Sequence, residues 1–292
     1  MAPSALSMRG LRLKTGSFLG LGPQGFHRIA YVEWGAEDAP RTVVCVHGLT
    51  RNGRDFDRLA ASLSQHWRVA CPDMVGRGRS DWLADPAGYG YPQYVADMTA
   101  LVARLDVASV DWVGTSMGGI IGMMMAAQPN SPIRRLVVND VGPFLPKAAL
   151  ERLAGYVGLD PRFESIGELE AYLRKVHAPF GALADADWRH LALQGYRRLE
   201  DGRFGLAYDP GIGAAFRTKI EDLAFWQVWE SISCPVLVLR GADSDLLLAE
   251  TAAEMTRRGP EAQLVEIPAV GHAPSLTVPD QIAIVRDWLA SE

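Results

Sequence analysis

Five consecutive residues, Gly114-Thr115-Ser116-Met117-Gly118, carry the strongest chemical signal in this chain. They follow the apolar run Val110–Val113 and precede the apolar, helix-period run Gly119–Gln128. A serine with glycines two places before and two places after it, between a strand and a helix, predicts a sharp turn that lifts the hydroxyl above a sheet edge. The serine is then held in a strained conformation, and the glycines leave room where the two backbones crowd together. The first turn of the helix favours negative charge beside it. A hydroxyl presented in this way suits nucleophilic attack, provided that a base can take its proton. The bland alternative is a glycine-rich turn with an inert serine.

Six histidines are available as that base. His27 lies in an early strand, and His66 ends a surface-like helix. His177 and His190 fall in a helical middle segment. His47 follows a short apolar strand and is expected to order its own loop. Only His272 stands on a glycine-bearing loop after a strand near the C-terminus. Its neutral imidazole would accept the Ser116 proton and return it to a leaving group.

The elements that must position these groups are read from hydrophobic periodicity. His27–Trp34 alternates as a strand does. Thr42–Val46 is short and apolar, and Trp67–Cys71, Val110–Val113, Arg135–Val138, Pro235–Arg240 and Gln263–Ile267 read as further strands. Runs of that kind suit central parallel strands covered on both faces. Between them lie helix-period segments at Arg54–His66, Tyr94–Leu105, Gly119–Gln128, Leu248–Arg258 and Gln281–Leu289. The alternation implies a mostly parallel sheet flanked by helices. It breaks after Pro143, and from there to Trp229 helix patterns stand almost alone. The expected division is therefore a core over residues 1–142, an all-helical insertion over 143–229, and a return to the core over 230–292.

Together these motifs resemble the α/β-hydrolase superfamily, and the resemblance runs from about residue 26 to 290. Val46-His47-Gly48-Leu49 is similar to the family's H-G-x oxyanion loop. Asp73-Met74-Val75-Gly76-Arg77-Gly78-Arg79-Ser80 is similar to its D-x-P-G-x-G-x-S loop, with Val75 in place of the usual proline. Ser116 sits at the family's nucleophile position, and His272 follows the last strand where the family keeps its histidine. The resemblance implies an α/β-hydrolase fold with a helical cap above the nucleophile. It also implies an oxyanion hole built from the N–H groups of Met117 and of Leu49, or alternatively Thr50.

The acid that orients the histidine stays open at this level. Most of the family places it three residues beyond a glycine after the strand read here as Pro235–Arg240. Counting from Gly241, that position is Ser244, with Asp243 and Asp245 each off by one. A subgroup of small bacterial esterases carries the acid one strand earlier, with a serine at the later site. Asp140 paired with Ser244 matches that arrangement, and Asp245 and Asp243 are the alternatives.

The implied reaction is hydrolysis of carboxylic esters of small to medium apolar substrates through an acyl-enzyme. Carbon–carbon, lactone and thioester hydrolysis use the same side chains. A non-catalytic small-molecule receptor is the reading from another class. Phe144 and Trp226 are candidate substrate contacts, as is Leu49. The run Met123–Met125 is read as core, because an apolar stripe at helical spacing usually is.

Composition narrows the remaining classes. A net charge of −5 with no Lys/Arg run disfavours nucleic acid and anionic membranes as partners. No apolar stretch is long enough to span a bilayer, and the first twenty residues lack the apolar run of a signal peptide, so a cytoplasmic enzyme is expected. No H-E-x-x-H or paired C-x-x-C appears, and Gly76-Arg77-Gly78 lacks the third glycine of a dinucleotide loop, so neither a metal nor another cofactor is expected. The three cysteines read as buried, reduced thiols.

Overall fold

The computed structural model describes residues 13–217 and 219–291. The leader reading of the first twenty residues therefore rests largely on residues outside this range. The chain opens with β1 (Lys14–Gly22), β2 (Gly25–Trp34) and β3 (Thr42–Val46), then α1 (Asp57–Leu63), β4 (Arg68–Pro72) and α2 (Tyr91–Leu105). The unit β5 (Val110–Thr115), α3 (Met117–Ala126) and β6 (Ile133–Asn139) follows. A segment of short elements comes next: β7 (Phe144–Leu145), α4 (Lys147–Ala154), α5 (Ile166–Val176), α6 (Asp185–Gln194), β8 (Tyr196–Arg198), β9 (Phe204–Leu206), β10 (Leu223–Ala224) and α7 (Trp226–Glu230). The chain closes with β11 (Val236–Gly241), α8 (Ala249–Met255), β12 (Gln263–Ile267) and α9 (Pro279–Ala290).

Eight strands form one sheet in the order β1-β2-β4-β3-β5-β6-β11-β12. The β1/β2 and β2/β4 pairs are antiparallel, and the other pairs are parallel. This is the α/β-hydrolase fold. Every residue of β3, β4 and β11 is buried, as mostly apolar strands covered by helices on both faces should be, and the two arginines among them, Arg68 and Arg240, pair with Glu33 and Glu266. One face packs Trp112 against α3 and its neighbours. The other packs Trp34, Leu59, Val285 and Trp288 between the sheet, α1 and α9. Truncating a fully buried aromatic such as Trp112 to Ala would cost about 3–5 kcal/mol.

The chain leaves β3 toward β4 on one side and then returns to β5 on the other. Such a reversal opens a crevice at the carboxyl ends of the strands, where ligands bind in open α/β sheets. The loops after β3, β5, β6, β11 and β12 leave the sheet at this edge, and they carry His47, Ser116, Asp140, Ser244 and His272 in turn.

Two features depart from the sequence reading. The strand β1 was not expected. Its KTGSFLGLG sequence has three glycines and lies half in solvent at the sheet edge, so no clean alternation announces it. The segment between β6 and β11 is not purely helical, because β7 pairs with β10 and β8 with β9. Strands of two or three residues are too short to establish a period of two.

Among the described residues, no helix is long and apolar enough to cross a membrane. Cys45 and Cys71 are buried, whereas Cys234 is only half-buried, and all three are free thiols.

Candidate active site

The turn between β5 and α3 places Ser116 at φ 52°, ψ −115°. An L-residue adopts a positive φ of this kind only where its surroundings enforce it. Here the Ser116 N–H donates to the Asn139 carbonyl at 2.9 Å, and the Ser116 carbonyl accepts from Gly119 at 2.8 Å and Ile120 at 3.1 Å. The Trp112 indole N–H donates to the Gly118 carbonyl at 3.0 Å and holds the first turn of α3. Both glycines of the motif are required by close approach. A Cβ on Gly114 would lie 2.2 Å from the Gly118 carbonyl oxygen, and one on Gly118 would lie 2.0 Å from that of Val46.

His272 reaches this turn from the loop after β12. Its Nε2 is 3.0 Å from Ser116 Oγ, and its Nδ1 is 2.8 Å from Asp140 Oδ2. An Nδ1–H donating to the carboxylate leaves the Nε2 lone pair facing the serine hydroxyl, the tautomer that proton abstraction needs. Two contacts fix the loop. The Gly271 N–H donates to the Pro179 carbonyl at 2.7 Å, and the Asn139 amide donates to the Pro274 carbonyl at 2.8 Å.

Asp140 is fully buried and lies at φ 58°. Besides His272, its carboxylate accepts from the Gly241 N–H at 2.7 Å and the Ser244 hydroxyl at 2.7 Å. A buried carboxylate is tolerable only when donors satisfy it in this way. The Ser244 oxygen itself accepts the Leu247 N–H at 3.1 Å. The alternatives are corrected here: Asp243 and Asp245 are exposed, and Asp245 pairs instead with Arg152 at 2.8 Å. In the tight turn after β11, residue 244 faces inward and its two neighbours face solvent.

The loop after β3 lies beside the serine: a Cβ on Gly48 would sit 3.7 Å from Ser116 Cβ. His47 braces this loop. Its Nδ1–H donates to the Gly48 carbonyl at 2.7 Å, and its Nε2 accepts the Met74 N–H at 2.9 Å. Burial pushes the His47 pKa down to about 3, so the ring is neutral and can play both roles. The Gly48 carbonyl shares a peptide plane with the Leu49 N–H, so this bond fixes the direction of that N–H. The Met117 N–H, first in α3, has no carbonyl one turn back to accept it.

Asp73 ties the next loop to the same scaffold by accepting the Gly53 and Arg79 N–H groups, each at 2.8 Å. Sequence reasoning passed over Asn139, Arg51 and Arg77. Asn139 is a fully buried polar residue closing an apolar strand, and that was the one available signal.

A sequence model described as the alpha/beta hydrolase family matches residues 43–285. The chain belongs to that family. Over 280 residues it is 51% identical to a 3-hydroxybutyrate-oligomer hydrolase from Cupriavidus necator, covering 92% of this chain and 94% of the relative. It is 29% identical over 229 residues to a 2-(acetamidomethylene)succinate hydrolase from Mesorhizobium japonicum, covering 77% and 79%. A solved alpha/beta hydrolase from Novosphingobium aromaticivorans superposes with a TM-score of 0.84 at 34% identity, covering 95% of this chain and 98% of that one.

In this alpha/beta hydrolase Ser116 and His272 open onto a cavity of about 580 Å³. Leu49, Thr50 and Met117 line it near the serine. Ile120, Met124, Leu145, Ile212, Phe216 and Phe225 make much of its apolar wall. Met123 and Met125 are buried core, while Met124 between them reaches the cavity.

Phe144 and Trp226 do not line this cavity, and this corrects the sequence reading. Their chain neighbours Leu145 and Phe225 do. Phe144 and Leu145 are adjacent residues of a strand and point to opposite faces, whereas Phe225 caps and Trp226 begins the helix α7. Trp226 lies instead against the Arg258 guanidinium, 4.2 Å from its ring centroid.

The cavity also has a polar side. Arg51 is buried and makes a two-pronged bond to Asp55 at 2.8 and 2.7 Å. His177 stacks on Phe180 at 4.8 Å, and burial, with Arg51 and His272 nearby, holds its pKa well below the ordinary histidine value.

Proposed function

We propose that this alpha/beta hydrolase cleaves carboxylic esters through an acyl-enzyme formed on Ser116. The observation that carries the reading is the continuous relay Ser116 Oγ–His272 Nε2 at 3.0 Å and His272 Nδ1–Asp140 Oδ2 at 2.8 Å, at the floor of a large cavity. Ser116 Oγ attacks the ester carbonyl as His272 Nε2 takes its proton. The buried Asp140 carboxylate stabilises the imidazolium, and Ser244 and Gly241 hold that carboxylate in place. The oxyanion of the tetrahedral intermediate accepts hydrogen bonds from the N–H groups of Met117 and Leu49. His272 then gives its proton to the departing alcohol. Water repeats the sequence on the acyl-enzyme and releases the acid. One donor of this kind typically contributes about 2.7–4 kcal/mol to the barrier.

The substrate class we propose is short oligoesters of hydroxy acids. Support comes from the 51% identity over nearly the full length of the 3-hydroxybutyrate-oligomer hydrolase. The cavity agrees, because an apolar wall with a polar side suits a chain of small aliphatic units bearing a hydroxyl and a carboxylate at its ends. Residues 143–229 act as the cap over this cavity, contributing Leu145, Phe216 and Phe225 to its wall.

The test is incubation with the dimer and trimer of 3-hydroxybutyrate, with chromatographic measurement of released monomer. Wild-type protein should release monomer, and Ser116→Ala should be slower by on the order of 10⁴-fold or more. Failure to cleave these oligoesters while p-nitrophenyl esters are cleaved would overturn the substrate class. Failure to cleave either would overturn ester hydrolysis itself.

A further inference from the structure

The loop after β4 carries a residue that the ester-cleaving machinery does not yet use. Arg77 is fully buried between Gly76 and Gly78. Its Nε–H donates to the Leu49 carbonyl at 2.9 Å. One Nη donates to the Val75 carbonyl at 2.7 Å and to the Tyr94 hydroxyl at 3.0 Å. The other Nη lies 3.7 Å from Met117 Sδ. The rings of Tyr89 and Tyr94 flank the guanidinium, with centroids at 5.7 and 5.1 Å. All of these partners are neutral.

A guanidinium whose own hydrogen-bond partners are all neutral is an expensive thing to bury, because such bonds replace only part of the hydration it gives up, and a carboxylate on this side, Asp209, is bonded to Tyr89. A neutral side chain of the same length would fill this space at less cost. The position makes sense if the charge and the forked geometry are used by the reaction. Arg77 touches both residues whose N–H groups would face the oxyanion, Leu49 and Met117. It holds the peptide that follows the Leu49 N–H, while His47 holds the peptide that contains it. The two side chains together fix the peptide planes on both sides of the Leu49 Cα. A positive charge in contact with both residues also favours negative charge developing near their N–H groups, in a site where water screens little.

We propose that Arg77 is a positioning residue for the oxyanion site: it clamps the 48–50 loop to the first residue of α3 and brings a positive charge against the two residues that supply the donors. This rests on the ester-cleaving reading. It acts through Leu49 and Met117, so its contribution belongs to the transition state and to species that resemble it, not to the bound ester.

The test compares wild type, Arg77→Met and Arg77→Lys for kcat and KM on one p-nitrophenyl ester. It also compares inhibition by a trifluoromethyl ketone, which forms a tetrahedral adduct, and thermal melting. Arg77→Met should lower kcat by about 10²–10³-fold with KM within about threefold, the range seen on removing one oxyanion donor. The trifluoromethyl ketone should weaken by a similar factor. Arg77→Lys, which restores charge but not the fork, should fall between the two. If Arg77→Met does not fold, the same split between kcat and KM, with weakened ketone binding, is required of Arg77→Lys. The proposal is overturned if folded variants keep kcat and ketone affinity within about threefold of wild type. It is also overturned if activity falls only in step with the folded fraction. Wild-type protein that cleaves no ester would sink the underlying reading as well. Wild-type cleavage abolished by Ser116→Ala, beside a normal Arg77→Met, would sink this inference alone.

Discussion

Asp140 illustrates how much at the scale of single residues depends on direction. Three donors converge on its carboxylate, from Gly241, Ser244 and His272. Asp243 and Asp245 flank Ser244 in that turn, yet both are exposed, and Asp245 pairs with Arg152. Asp140→Asn should therefore lower kcat by on the order of 10⁴-fold, because the amide favours the wrong histidine tautomer. Asp243→Asn and Asp245→Asn should stay within a few-fold of wild type in the same steady-state assay, and the opposite ranking would reassign the acid. Ser116 is legible because five local residues define its turn. The acid is not, because a one-residue slip in a tight turn is decided by backbone angles that the sequence does not display.

His47 gives a second prediction at this scale. Its pKa is ordinary in the unfolded chain, near 6.5, and about 3 in the folded protein. Between those values the unfolded chain binds the additional proton. The stabilisation is therefore complete above about pH 6.5 and declines as the pH falls toward 3. One such proton corresponds to a slope of about 1.4 kcal/mol per pH unit. His47→Gln, measured by urea unfolding between pH 7.5 and 4.5, should show a shallower loss of stability on acidification than wild type. An unchanged slope would mean that His47 is not held neutral. His177 contributes in the same direction and remains in both proteins.

At the scale of elements, the central strands are legible because burial on both faces makes most of their positions apolar. Thr42–Val46, buried throughout, is found with the expected bounds, and so is the edge strand Gln263–Ile267. The edge strand β1 is not legible because it is exposed and glycine-rich, and the two- and three-residue strands between β6 and β11 are not legible because they are too short to impose a pattern. The β7/β10 pair matters for function despite its size, because it turns Leu145 toward the cavity while Phe144 is absent from the lining. Leu145→Phe should fill part of the cavity and raise KM for a 3-hydroxybutyrate trimer about tenfold more than for the dimer. Phe144→Ala should leave the ratio of the two KM values within about twofold. Equal effects of the two substitutions would show that this pair does not shape the site.

At the scale of the whole molecule, residues from distant parts of the chain meet at one edge of one sheet. Ser116 and His272 are 156 positions apart, and Asp140 and His272 are 132 apart. The order of strands makes this possible, since the reversal at β3 opens the crevice and parallel strands send their loops to the same side. Asn139 links the parts directly, bonding both Thr115 beside the serine and Pro274 beside the histidine. The assembled site is thus a property of the folded molecule, and unfolding should abolish it before any covalent bond is broken.

Intact-protein mass spectrometry after incubation with a fluorophosphonate tests that assembly most directly, because the reagent captures a serine only where a base and an oxyanion site act on it together. The native protein should gain one adduct, located by fragmentation on Ser116, while Ser116→Ala and urea-unfolded wild type should gain none. A native protein that stays unmodified, or that is modified at a different residue, would contradict the account.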